Sequence, residues 1–412
     1  MSLQIDTERL TAEMEFLARI SDTPYPSVTR VLFSTVDLRA REWLKLLYAE
    51  AGLVVREDAV GNTFARWPGM DSAATPVATG SHTDAIPNAG RFDGVVGVLG
   101  ALEAIRAMQR TGRRPRRSIE LVMFTAEEPT RFGLGCLGSR LMAGTLSRDK
   151  LNRLRDAQGL SVDEACARAD LTGALESTRL PRGFYDAFVE LHIEQGPLLE
   201  RQGMPIGIVT AIAAPATLRI DLTGGGGHAG TVLMPDRHDP SLAAAETMLA
   251  VERAALATQS RDTVATCGLV QVQPGAVNSI PRQVRLEIDV RDIDQARRDG
   301  VLAAIRSVAQ AAAARRGCGW AEQVINADPP AVCAPPIVAA IEQACATLNL
   351  PCQRMISRAY HDSLFMAQVC PTAMIFVPSK DGISHRPDEY TSPEAIARGV
   401  RVLAGALETL AG

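Results

Sequence analysis

Apolar positions fall into two textures along this chain. In "TPVATGSH" and "RSIELVMFTAEEPT" short unbroken apolar runs, Ile119 to Phe124 in the second, end in glycine, polar or acidic residues. Such runs predict strands buried on both faces that empty into loops. Between them, "DGVVGVLGALEAIRAMQRTGRR" carries Val95, Val98, Leu99, Leu102, Ile105 and Met108 at steps of three and four, which predicts a helix with one buried face. Strand, helix, strand is a parallel βαβ unit, and in such sheets ligands gather at the carboxyl ends of the strands. The texture returns in "AFVELHIEQGP" and "TAMIFVPSKDGISH".

Between those two segments the apolar residues alternate with polar ones. "ATLRIDLTGGGGHAG", "RDTVATCGLVQVQPGAVNSI" and "RQVRLEIDVRD" all show period two, separated by helical stretches at 240–257 and 294–316. Alternation predicts half-exposed antiparallel strands with helices over one face. The expected architecture is therefore an α/β domain with a mostly parallel sheet, built from 1–212 and 330–412 and split by an inserted α+β domain at 213–329.

Charge removes some partners. The 412 residues include 43 Lys and Arg against 47 Asp and Glu, a net charge of -4, so there is no basic field to hold a nucleic acid. No apolar run approaches the roughly 20 residues of a membrane span. The first twenty residues alternate charged and apolar positions without the zones of a secretion signal. The eight cysteines are scattered with no CxxC pair, which fits reduced thiols and predicts a cytoplasmic protein.

The chemistry concentrates at the strand ends. "GSHTDAIPNAGRFDG" holds His82, Asp84 and Asp93; "TAEEPT" holds Glu127 and Glu128; "ELHIEQGP" holds His192; and "GISH" ends on His385. Any one of these has a plain alternative, because a loop histidine is usually not a ligand and an acidic pair is usually just solvated. Together they supply what metal-assisted amide hydrolysis needs: nitrogen and oxygen ligands for two divalent ions, a bridging carboxylate, and a free carboxylate for the water's proton. Asp84 is placed to accept the other ring N–H of His82. Of two adjacent glutamates, one held by a cation stays ionised, so the economical reading is one ligand and one base. A cysteine amidase built on Cys136 is the competing enzyme reading, but no histidine lies near it and "GLGCLG" reads as tight packing. A silent binding protein is a third, and it would be expected to lack a ligand or the base.

In order and spacing, "GSHTDAIPNAGRFDG", "TAEEPTRFGLGCLGSR", "ELHIEQGP", "GGGGHAGTVLMPDRHD", "VNSIPRQVRLEIDVRD", "SRAYHDS" and "GISHRPDEYT" resemble the hydantoinase/carbamoylase family of dinuclear metal amidases, relatives of the aminoacylase-like metallopeptidases. The resemblance implies that His82 and His192 bind one metal, Glu128 and His385 the other, Asp93 bridges them and Glu127 is the general base. It further implies that Gln195, His228, Asn278, Arg291 and His361 hold substrate. Arg291 would grip a carboxylate with Asn278 beside it, and His228 would reach in from the inserted lid and dimerisation domain of a homodimer partner. Zinc or manganese, with cobalt or nickel as alternatives, would suit these ligands. Such enzymes act on ureidoglycolate, allantoate or N-carbamoyl amino acids. Pro129-Thr130, Arg358 and Tyr360 depart from the commonest motifs in the direction of the ureidoglycolate branch, with bulky Tyr360 expected to reshape the pocket; Val232-Leu233 also departs, after His228.

Overall fold

The computed structural model describes residues 3–412. Its main sheet has the strand order Ala331–Val332, Ile206–Ile212, Thr372–Val377, Ala187–Ile193, Val77–His82, Ile119–Phe124, Thr63–Trp67 and Val54–Glu57, with Cys352–Ser357 also pairing to Ile206–Ile212. The four central strands, Thr372–Val377 through Ile119–Phe124, run parallel, while Ile206–Ile212 and Thr63–Trp67 flank them antiparallel. Every residue of those four is buried, as unbroken apolar runs require.

The helix foreseen after Asp93 spans Val95–Arg110, but it is buried nearly all round rather than on one face. It is covered by the helices Thr7–Ala18 and Pro393–Ala411 as well as by the sheet. Even Glu103 is enclosed, where it accepts from the Asp6 N–H at 2.8 Å and pairs with Arg9 and Arg110. Steps of three and four mark one apolar face, whereas the small residues Gly97, Gly100, Ala101 and Ala104 on the others let neighbours approach.

The alternating segments form a separate four-stranded antiparallel sheet, in the order Val264–Gln273, Gln283–Asp292, Ala214–Thr223 and Gly319–Ala327. Along Gln283–Asp292 burial alternates strictly. Val284, Leu286, Ile288 and Val290 meet Val301, Leu302 and Ile305 of the helix Gln295–Arg315 and Ala243, Ala244 and Val251 of the helix Pro240–Ala257 in one core. The chain resolves into two compact units. One comprises residues up to Thr210 with Val332–Ser357 and His361–Gly412; the other comprises Ala211–Ala331 with Arg358–Tyr360. Arg358 and Tyr360 are held within this second unit, Arg358 by Asp262 at 2.9 Å and the Tyr360 hydroxyl by Asp328.

Candidate active site

Each candidate ligand sits where a buried strand ends. His82 is the last residue of Val77–His82, and His192 is the penultimate residue of Ala187–Ile193. Glu127 and Glu128 follow Ile119–Phe124 through Ala126, whose φ of 53° turns the chain sharply. The backbone of that turn is clamped on both sides. The Asp84 carboxylate accepts the N–H groups of Glu127 and Glu128 at 3.3 and 3.0 Å, and the N–H groups of Cys136, Leu137 and Gly138 donate to Glu127, Ala126 and Thr125 at 2.8, 2.9 and 2.8 Å.

Asp93 lies between two clusters. Its Oδ1 is 3.6 Å from His82 Nε2 and 3.2 Å from His192 Nε2, while its Oδ2 is 3.2 Å from His385 Nε2, which lies 3.4 Å from Glu128 Oε1. Ligands about 2.0–2.2 Å from one ion in tetrahedral directions stand about 3.4 Å apart. The donor spacings therefore fit two ions that share Asp93. Burial separates the two positions: His82 and His192 are 2% and 1% exposed, His385 is 47% exposed. The first position is enclosed and the second opens to solvent.

The surroundings fix which atoms face inward. His82 Nδ1 is 3.1 Å from the Asp84 carbonyl oxygen and His192 Nδ1 is 2.9 Å from that of Ile193. Each main-chain oxygen takes the Nδ1 hydrogen and leaves the Nε2 lone pair facing inward, which on His192 accepts the Gly94 N–H at 3.2 Å. The support expected from Asp84 thus comes from its carbonyl, with its carboxylate 3.6 Å from His82 Nδ1 and spent on the glutamate turn. Gly94 answers why a glycine follows Asp93: with φ at 65°, a Cβ there would lie 2.5 Å from His82 Nε2. Glu389, absent from the sequence reading, accepts the Phe92 and Asp93 N–H groups at 2.9 and 3.2 Å and the Ser384 hydroxyl at 2.7 Å. Its position in "HRPDEY" carries no pattern that would mark it.

The electrostatics follow from crowding carboxylates against imidazoles. Burial opposes charge on Asp93, but hydrogen bonds from His192, His385 and His82 hold its carboxyl well below the usual range. The Asp93 hydrogen bond is also the main reason His385 rises to about 9. Burial, then Asp93, pushes Glu128 up to about 7, and burial raises Glu127 well above the ordinary carboxylate value. A site this rich in carboxylates is built for cations.

The proposed substrate residues distribute unevenly. Gln195, at φ 55°, donates from Nε2 to Asp93 Oδ2 at 2.7 Å. His361 is buried edge-on to His192 at 4.5 Å with Nε2 2.9 Å from Ser357 Oγ, and burial keeps it neutral. In the second unit, His228 pairs with Ser279, and the Ala229 N–H donates to the Asn278 carbonyl at 2.9 Å, so His228 and Asn278 are neighbours. Gly230 N–H donates to His228 Nδ1 at 3.0 Å, which leaves Nε2 as the ring's hydrogen donor.

Arg291 does not lie beside Asn278. Asn278 precedes the Gln283 end of the strand Gln283–Asp292, and Arg291 is next to last at the other. Eight residue steps at about 3.3 Å put roughly 26 Å between Gln283 and Arg291. An extended strand intervenes where the sequence shows only thirteen positions. The Arg291 guanidinium is oriented by Asp289 at 2.8 Å and by the Arg358 carbonyl at 3.2 Å.

A parallel sheet bearing two histidine-carboxylate clusters joined by one aspartate at its carboxyl edge defines the metallohydrolase class. Residues 78–409 match the peptidase family M20/M25/M40, and the chain belongs to that family. Among its relatives, the ureidoglycolate hydrolase of Arabidopsis thaliana is 51% identical over 99% of this chain and 87% of its own. The N-carbamoyl-L-amino acid amidohydrolase of Geobacillus stearothermophilus is 39% identical over 97% of each. The crystal structure of AtUAH in complex with glyoxylate superposes with a TM-score of 0.90 at 50% identity, covering 100% of this chain and 99% of that one.

Proposed function

We propose that this protein hydrolyses a C–N bond of a small ureido carboxylate, with ureidoglycolate as its preferred substrate and ammonia as a product. The observation that carries the reaction class is Asp93, whose two oxygens face two separate ligand clusters. The substrate preference rests on the 51% identity to a ureidoglycolate hydrolase along 99% of the chain.

His82, His192 and Asp93 would hold one divalent ion and Asp93, Glu128 and His385 the other, zinc or manganese suiting these donors. Bound there, such ions would polarise the scissile carbonyl and lower the pKa of the attacking water toward 7. Glu127 takes no part in either cluster, and its Oε2 faces the first, 3.7 Å from His82 Nε2. It takes a proton from the attacking water and returns it to the leaving nitrogen as the C–N bond breaks. Arg291 holds the substrate carboxylate, and His228, with its hydrogen on Nε2, donates to the ureido carbonyl as negative charge develops on that oxygen. Loss of ammonia leaves a carbamate, which releases carbon dioxide. The eight cysteines are all free, which supports a reducing, cytoplasmic setting, and no helix among the described residues is long and apolar enough to cross a membrane.

The separation of Arg291 from Asn278 and His228 favours a homodimer in which two copies complete each site. No ligand the size of ureidoglycolate bridges roughly 26 Å. Mixing the two inactive variants Glu127→Gln and His228→Ala, with subunit exchange, tests this. If His228 acts across the dimer, half the pairs are mixed and each regains one of its two sites, about a quarter of wild-type activity. Recovery of none rejects the action of His228 across the dimer, and a monomer in sedimentation rejects the shared site.

Ammonia release on ureidoglycolate, allantoate and an N-carbamoyl-L-amino acid, each with a chelated control, tests the substrate. Ureidoglycolate should lead and chelation abolish turnover. A leading carbamoyl amino acid would overturn the preference and leave the reaction class standing.

A further inference from the structure

Cys136 has none of the features of a nucleophile. Its side chain is fully buried, and burial followed by the charge of Glu127 pushes the thiol well above its usual value, so it keeps its proton. A protonated thiol is a donor, and here it has an acceptor. Sγ lies 3.6 Å from Glu127 Oε1, while the other oxygen of that carboxylate faces His82 at 3.7 Å.

The backbone gives a second and independent reason to look at this residue. Cys136 sits at φ 56°, ψ 36°, the left-handed region, which costs a residue with a Cβ about 1 kcal/mol and glycine almost nothing. The chain places glycine at 133, 135 and 138 around it, and Gly133 takes a positive φ of 67°, yet at 136, where the dihedral angles also favour glycine, it keeps a cysteine. Strain kept at one residue inside a glycine-rich turn points to work done by its side chain. The backbone also sets the reach. Cys136 N–H donates to the Glu127 carbonyl at 2.8 Å, so the two residues are paired across the turn, and the thiol is carried to the carboxylate without freedom to drift.

We propose that Cys136 is a positioning residue for the hydrolytic reaction: its S–H donates to Glu127 Oε1 and holds the carboxylate in the rotamer that aims Oε2 at the attacking water. The inference rests on Glu127 being the general base. A carboxylate released from the thiol would sample other rotamers, so the fraction poised for proton transfer falls while substrate contacts stay as they were.

The test compares Cys136→Ala, Cys136→Gly and Cys136→Ser, each with metal content measured, on the fastest of the three substrates above. Loss of one weak donor should lower kcat about tenfold in the alanine and glycine variants, with KM and two ions per chain unchanged. The glycine variant guards against a folding defect, because φ 56° suits glycine. Serine, which keeps a donor, should restore kcat to within about threefold of wild type. In a Glu127→Gln background Cys136→Ala should have no further effect. Wild-type kcat in the alanine and glycine variants, or a serine variant as slow as alanine, overturns the proposal. An active Glu127→Gln enzyme instead overturns the base assignment on which it rests.

Discussion

Glu127→Gln should lower kcat by about a hundred- to ten-thousand-fold, the range lost with a general base, while the protein still binds two ions per chain. The substitution keeps the shape of the side chain and the acceptor for the Cys136 thiol, and it removes only the ability to take and return a proton. Metal retention is expected because neither cluster that meets at Asp93 uses Glu127. Steady-state rates together with metal analysis decide the matter. Activity within about tenfold of wild type would mean that the proton goes elsewhere, and lost metal would mean that Glu127 is a ligand.

Asp93→Ala should do the opposite and empty the site. One carboxylate supplies an oxygen to each cluster, at 3.2–3.6 Å from its histidines, so alanine removes a donor from both positions at once. Each is left with two protein donors, fewer than the three that a catalytic ion usually keeps. Elemental analysis after gel filtration should find less than about one ion per chain, with activity lost. His385, whose value of about 9 depends first on its hydrogen bond to Asp93, should fall in the metal-free variant, with Glu128 and Glu389 still beside it to hold it up. Full occupancy in Asp93→Ala would refute the bridging assignment.

Much of the fold was legible because periodicity is a local property. Ile119 to Phe124 is apolar without interruption since both faces of a central parallel strand are covered, and Val284, Leu286, Ile288 and Val290 alternate because their sheet is covered on one. The Val95–Arg110 helix was read correctly as a helix and incorrectly as half exposed. The layer of helices that covers its far side comes from the two ends of the chain, and no window of sequence reports on it.

The sequence by itself determined which side chains are the candidates for chemistry. His82, Asp93, Glu127, Glu128, His192 and His385 stand out because they interrupt apolar runs at strand ends, where a buried polar residue needs a reason. Tertiary structure alone decided how they divide into two clusters, since the division depends on residues as distant in sequence as Asp93 and His385 meeting at 3.2 Å. It alone tied Glu389 to the backbone of Asp93, brought the Cys136 thiol to Glu127, and put the length of the strand Gln283–Asp292 between Asn278 and Arg291. Residue type is written locally, but a donor, an acceptor and a distance of 3 Å are properties of the folded chain.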